Sequence, residues 1–465
     1  MRLPRPSESS DTRTLIVLVL CGLLLWSYPF RSVQAAAGDL DPAFGTGGKV
    51  TTDLSEDEDS IHAIVLQPDG KIVAAGESLL VPSGFGFTVA RYNANGSLDQ
   101  SFGSSGSVHT SFFDSKAFAV ALQSDGRIVA AGSFFNTSNF AEDFALARYN
   151  GDGSLDSTFA TGGKVATDFS AQDTSFDTAV GVAVQTDGKI VAAGERNSPL
   201  GISFALARYN SNGSLDSSFG QGGKTTTSFG LAAHAQGLAL QPDGKIVVVG
   251  FTSGGLGDPP AANLSRYNSD GSLDVSFGSG GKVSTSFFAL ADEIHAVVIQ
   301  RDGRIVVAGN TVNLNNHSVD FWLIRYKSDG SLDSTFGNGG FVTTDYTPAA
   351  DPPGSGSDAV FALALQANGK IVAAGKTNEF SGKSSFALAR YNPNGSLDAG
   401  FGTLGKVTTT FFGRDDRALS VAIQADGQIV AGGTSDNRAN DTFRDFALAR
   451  YLGDPITNLD QKSVV

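Results

Sequence analysis

The chain has 465 residues, of which 17% are charged, 41% are apolar and 57 are Gly, and its formal net charge is −14. This composition can bury a core, which excludes a disordered chain and a collagen. An acidic chain without a basic run also excludes nucleic acid and anionic lipid as electrostatic partners.

The first element is an address. Arg2, Arg5 and Arg13 precede an apolar run from Leu15 to Trp26. That run is short of the roughly 20 residues that span a bilayer. Small residues follow at Ala35, Ala36 and Ala37, so residues 1–35 read as a secretory signal peptide cut after Ala35, with Ala37 as the alternative. An uncleaved anchor is the rival reading. The sole cysteine, Cys21, lies inside the apolar run behind Leu20, where a lipid-attachment motif would want a small residue. The exported chain would carry no disulfide and no second membrane span.

Three phrases then recur from Gly38 to Tyr451. The first, Gln-x-Asp-Gly-Lys-Ile-Val-x-x-Gly, begins at Gln67, Gln123, Gln185, Gln241, Gln300, Gln366 and Gln424. The second, Ala-Arg-Tyr-Asn, has its Arg at Arg91, Arg148, Arg208, Arg266, Arg325, Arg390 and Arg450. The third, Ser-Leu-Asp-x-x-Phe-Gly-x-x-Gly-Lys-Val, has its Phe at Phe44, Phe102, Phe159, Phe219, Phe277, Phe336 and Phe401. A period of about 59 residues signals a solenoid, propeller or array.

In the first copy, His62–Gln67 reads as an alternating strand leading into the turn Pro68-Asp69-Gly70. Lys71–Gly76 is the second strand, Phe87–Asn93 the third and, after the Asn95-Gly96 turn, Gly106–Phe112 the fourth. Outside the signal segment no helix pattern is present. Four antiparallel strands repeated seven times predict an all-β, seven-bladed β-propeller over residues 38–451, followed by a tail at 452–465. One face of each first strand is small (Ala63, Ala119, Gly181) and the other bulkier (Ile64, Val120, Val182), as an innermost, crowded strand requires. The chain starts on an outer strand, Gly48–Leu54, and ends on three inner ones within Ala418–Tyr451. Their pairing would close the ring, remove its open edges and leave a monomer.

The three-part motif resembles the delta-60 repeat family of bacterial extracellular proteins, over Gly38 to Tyr451. The resemblance implies a β-propeller from a secreted or surface protein. It brings no assigned reaction or ligand, so no site residue transfers. Single copies depart from it: Ala160 follows Phe159, Ser265 precedes Arg266, and Asn368 and Gln428 replace the usual Asp and Lys.

Comparing the copies separates two faces. From each Arg to the next Phe the spacing is always 11, whereas from the Val50 position to the next Gln it runs from 15 to 24. All length variation falls on the loops of one face, where recognition usually sits. Phe251–Pro260 and the longest insertion, Asp345–Asp358, belong to it. The leading expectation is a secreted or cell-surface, non-enzymatic module binding a protein or an extracellular polymer through that face. Drift in tolerant loops is the plain alternative.

Eight residues before each Gln stand Asp59, Asp177, Asp292, Asp358 and Asp416, with Ser115 and Ala233 in the other two copies. Turned to the axis, these carboxylates would ring the channel mouth and hold calcium or a cationic ligand; no other cofactor is expected. In the plain reading each Asp caps its own turn. The Asn93–Asp99 run has some features of a calcium loop, but Arg91 stands where a further ligand belongs, so Arg91 and Asp99 read as an ion pair. His62 and His295 share one repeat position and read as isolated structural residues. No Gly-x-Ser-x-Gly or His-Glu-x-x-His motif occurs. The runner-up is a hydrolase or lyase with an acidic, metal-assisted site at the channel mouth. A purely structural matrix component is the third reading.

Overall fold

The structure is a computed structural model, and it describes residues 35–55, 58–79, 84–138, 140–169, 176–230, 232–253, 260–286, 292–312, 318–346, 356–378, 383–437 and 444–454. The apolar segment read as a signal, the end of the tail, and most of the two long loops expected to carry recognition lie outside the described residues. No helix among the described residues is long and apolar enough to cross a membrane.

From Ala37 onward the chain forms 28 strands and no helix among the described residues. In the first repeat the strands are Asp59–Leu66, Ile72–Leu79, Phe85–Tyr92 and Ser107–Thr110, hydrogen-bonded side by side in that order. Each is antiparallel to its neighbour. The tight turn between the first two works as its sequence suggests: Gly70 takes φ +84°, and the Asp69 carboxylate accepts the Lys71 backbone N–H. Seven such blades form the propeller; below they are numbered from the one that starts at Asp59. Blades 5 and 6 are further joined by one parallel pair, Val319 with Ser357.

The core lies between blades. Val73, Ala75, Phe87, Val89 and Phe102 of blade 1 pack against Ala117, Ile128, Ala130, Ala147 and Tyr149 of blade 2, all fully buried. Each face mixes Ala with larger residues, Ala75 beside Phe87 and Val89 on one sheet and Ala130 and Ala147 beside Ile128 and Tyr149 on the other, so neighbouring sheets interlock. Each buried Val, Ile or Phe contributes about 1.5–3 kcal/mol.

The recurring phrases encode the bonds between blades. Tyr149 donates its hydroxyl to Thr110 of the preceding blade at 2.9 Å, and Tyr92, Tyr267, Tyr326 and Tyr451 do likewise with Thr52, Thr227, Thr285 and Thr409. Arg148 pairs with Asp156 at 2.7 Å, lies 4.4 Å from the ring centre of Phe159, and reaches the Ser211 carbonyl of the next blade at 2.5 Å. Thus one guanidinium satisfies a carboxylate, a π-face and a neighbouring backbone.

The ring closes as the chain's phase requires. Lys49–Thr52 pairs antiparallel with the strand ending at Tyr451, in the register Thr51 with Ala447. Asp41 takes the role that Asp99 has in blade 1, pairing with Arg450 at 2.7 Å, and Gly38 donates its N–H to the Leu452 carbonyl at 2.8 Å. Blade 7 has no third-to-fourth turn of its own to meet Arg390; Asp454 meets it instead at 2.7 Å and also pairs with Lys370. The first residues of the presumed tail therefore belong to the closure.

Candidate functional site

Every inner strand carries a β-bulge at the same place. In blade 1 the pairing with the second strand shifts between Ile61 and Ala63, leaving His62 outside the ladder. The same shift releases Phe118, Val180, Gln236, His295, Phe361 and Leu419. The bulge also explains why the inner strand begins at Asp59, three residues before the alternation would place it. Opposite the bulge the two backbones come so close that only Gly fits. A Cβ on Gly76 would overlap the Ser60 carbonyl oxygen, and one on Gly194 that of Thr178.

A bulge re-aims a side chain. Here the seven extra residues all line one axial cavity of about 380 Å³, with Ile64, Val120, Val182, Leu238, Val297, Leu363 and Val421 in the same wall. Neighbouring bulge residues meet across blades: His62 lies 5.0 Å from Phe118 and His295 5.5 Å from Phe361, centre to centre. The two histidines expected to stand apart therefore line one cavity.

The end of the inner strands nearer the variable loops carries mixed charge. Glu77 has His62 at 3.7 Å and Lys116 of blade 2 at 3.3 Å. Burial alone would push its carboxyl up, but the His62 ring and the Lys116 ammonium outweigh burial and hold it below the usual range. His234 bonds Glu195 of blade 3 at 2.9 Å, which raises its pKa against the opposing effect of burial. His295 bonds Asn310 at 2.7 Å and lies 3.6 Å from Glu293, whose carboxyl it holds down. Sequence reading missed these carboxylates. Their signal is that Glu77 and Glu195 stand ten residues after Gln67 and Gln185, a position held elsewhere by Ser133, Phe251, Asn310, Lys376 and Thr434.

The expected ring of carboxylates takes a different place. Asp59, Asp177, Asp358 and Asp416 are fully buried and are not among the residues lining the axial cavity. Each turns toward the loop leaving the outer strand of the preceding blade, accepting a backbone N–H from Leu54, Phe169, Tyr346 and Phe411 at 2.6–2.9 Å. The reason is local: that loop arrives at the inner strand with an unpaired N–H, and the first carboxylate it meets satisfies it. Burial pushes Asp59 and Asp416 up, and burial reinforced by Asp345 and Asp320 pushes Asp358 up to about 6. Asp292 starts the inner strand of blade 5, and its side chain lies outside the described residues.

The Asn93–Asp99 run is turn chemistry. Asn95 accepts both the backbone N–H and the hydroxyl of Ser97, and Asp99 pairs with Arg91 at 2.8 Å. Equivalent Arg–Asp pairs recur in every blade.

The family described as a domain of unknown function (DUF5122) beta-propeller matches the sequence at residues 67–102, 123–159, 185–219, 241–277, 300–336, 366–401 and 424–454. No curated protein matches. Among solved structures the chain is similar to polysaccharide lyase Uly1, with a TM-score of 0.47 and 12% identity over 92% of this chain and 95% of that one. A protein of unknown function from Dyadobacter fermentans gives 0.42 and 11% over 89% and 100%. The alpha-L-arabinanase of Penicillium chrysogenum gives 0.42 and 11% over 71% and 91%. At such identities the likeness concerns the fold alone.

Proposed function

We propose that this chain, which belongs to the DUF5122 β-propeller family, is an exported, non-enzymatic binding module that engages a protein or an extracellular polymer through its loop-bearing face and axial cavity. One observation carries the reading. Seven structurally equivalent bulge positions aim seven side chains at one cavity, and those side chains are two His, two Phe, Val, Gln and Leu. The opposite face repeats one Arg–Asp pair seven times. Positions that hold a ring together repeat; positions that meet a partner need not. Export rests on the arginines and apolar run before Ala35, and the finer placement among delta-60 repeat proteins rests on the three-part motif.

The test is binding of the purified chain to a panel of soluble extracellular polysaccharides and surface proteins, beside a Phe118→Ala, Gln236→Ala, Phe361→Ala variant. The expected result is a saturable ligand whose affinity falls at least tenfold in the variant at unchanged Tm. A ligand equally well bound by the variant contradicts the cavity as the site.

The second reading, a hydrolase or lyase, is favoured by one feature: the His–carboxylate pairs His62–Glu77 and His295–Glu293 beside the cavity. Such pairs can move protons. Shortened polymer products, lost on Glu77→Gln, would select that reading over simple binding.

A further inference from the structure

Among the described residues, three of the seven seams between blades bring three Asp side chains together. Asp445, Asp53 and Asp59 meet between blades 7 and 1; Asp143, Asp168 and Asp177 between blades 2 and 3; Asp320, Asp345 and Asp358 between blades 5 and 6. In each trio, carboxylate oxygens lie within 4.8 Å of one another. Each trio takes one Asp from the third strand of a blade, one from the residue after its outer strand, and one from the inner strand of the next blade.

These positions change together. At the other four seams the first two positions are never acidic. They are Gly86 with Ser111, Ser203 with Ser228, Ala261 with Ser286, and Ser385 with Thr410. A third change follows the same pattern. Thirteen residues after the repeat Gln, Asn stands in blades 2, 5 and 7 only, as Asn136, Asn313 and Asn437, with Asn313 outside the described residues. Asn136 bonds Asp143 at 2.7 Å, and Asn437 bonds Asp445. Isolated acids at a solvated rim would show no such coupling.

Asp59, in the trio between blades 7 and 1, takes the Leu54 N–H and the Ser55 hydroxyl, and the lone Asp416 shows the same full set. It accepts Ser435 at 2.5 Å, the Phe411 N–H at 2.9 Å and Thr410 at 3.1 Å. At the seam between blades 5 and 6 the Thr410 position is held by Asp345, which as a carboxylate can only accept. Asp358 is fully buried there, and its Oδ2 takes the Tyr346 N–H. Its Oδ1 has no hydrogen-bond partner of normal geometry among the described residues, the Thr377 hydroxyl being the neighbour that eases its charge. An orphaned buried oxygen beside two further carboxylates is what a cation would satisfy.

We propose that these three seams each hold one divalent cation of the calcium type, bridging two blades through an Asp trio. Calcium takes oxygen ligands at about 2.3–2.6 Å, so two oxygens on opposite sides of it stand about 5 Å apart, and three carboxylate oxygens within 4.8 Å of one another can share one ion. Three carboxylates form a hard, oxygen-only set that suits calcium better than zinc or copper, and the Asn136 amide N–H orients Asp143 from outside that set. The cation would tie the preceding blade's third strand and outer loop to the next blade's inner strand, where Arg side chains tie neighbouring blades on the other rim.

The purified chain is stripped with EDTA, dialysed against calcium, and read for bound metal and for Tm. The expected result is three ions per chain, a raised Tm in calcium and a smaller rise in magnesium. Asp345→Asn removes one ion, and so does Asp53→Asn, whose exposed side chain makes misfolding a poor explanation. Asp416→Asn, at a seam without a trio, keeps all three. Uptake below one ion per chain in millimolar calcium overturns the proposal, as does retention of three ions by both trio variants.

Discussion

The two rims of the ring are built from the same repeat yet behave oppositely. On the constant rim, Asp99, Asp216 and Asp274 are held well below the usual carboxylate range: burial pushes them up, but hydrogen bonds and the facing Arg and Lys prevail. On the variable rim, burial wins at Asp59 and Asp416 and pushes them up. One rim repeats a saturated ion pair; the other mixes paired acids such as Glu77 with inner-strand acids met by hydroxyl and N–H groups. Identity across copies marks what holds the ring; difference at equivalent positions marks what the ring can hold.

The comparison breaks most visibly at the closure, which draws on both rims. Deleting residues 38–56 removes the outer strand of blade 7 and Asp41, the partner of Arg450. The expected outcome is a chain that unfolds or oligomerises, read by size exclusion and Tm; a monomer of unchanged Tm would argue against the closed ring. Gly194→Ala comes next, because its Cβ would overlap backbone on the adjacent strand. A loss of about 3 kcal/mol or more in urea unfolding is expected. Arg208→Met leaves the buried Asp216 with Lys189 and Ser218 alone and breaks the bond to Ser269, and about 2 kcal/mol should be lost. Arg417→Met, on the partly exposed variable rim, should stay within about 0.5 kcal/mol.

Acid sharpens the contrast. Asp216 has a folded pKa below its unfolded one, so its contribution is complete above the ordinary carboxylate pKa of about 4 and is lost as pH falls toward the folded value. Tm measured from pH 7 down to pH 3 should fall less steeply in Asp216→Asn than in the unmodified chain, from a lower start. An identical slope would remove Asp216 from the acid limb. Tyr209→Phe leaves the aromatic core and removes one hydroxyl bond to Thr167, at a cost of about 1 kcal/mol.

The propeller was legible in the sequence because its fixed phrases are the contacts between blades. Arg148, Tyr149 and Phe159 each touch a neighbouring blade, so none can drift without its partner. The closure was legible from phase alone, since an unpaired outer strand at one end and three inner strands at the other admit a simple match. The cavity lining was not. A bulge inserts one residue without altering composition, and a period-two reading passes over His62 or Gln236 silently. Its trace lay in an invariant Gly facing seven positions filled by five kinds of residue. The direction of the inner-strand Asp residues was also hidden, because spacing along a strand does not say whether a side chain at its start turns to the axis or to the seam. That choice is made by the loop N–H it meets, which comes from another blade.

The central claim is a single chain closed on itself, and an engineered disulfide tests it most directly. Thr51 and Ala447 are register partners on neighbouring antiparallel strands, a separation of about 5 Å that a disulfide can span. Cys21 is the only native cysteine and lies before the propeller. With both positions changed to Cys, oxidation should give a monomer carrying one internal bond and a higher Tm that reduction reverses. Failure to form the bond, or its formation only between chains, would contradict the closed ring.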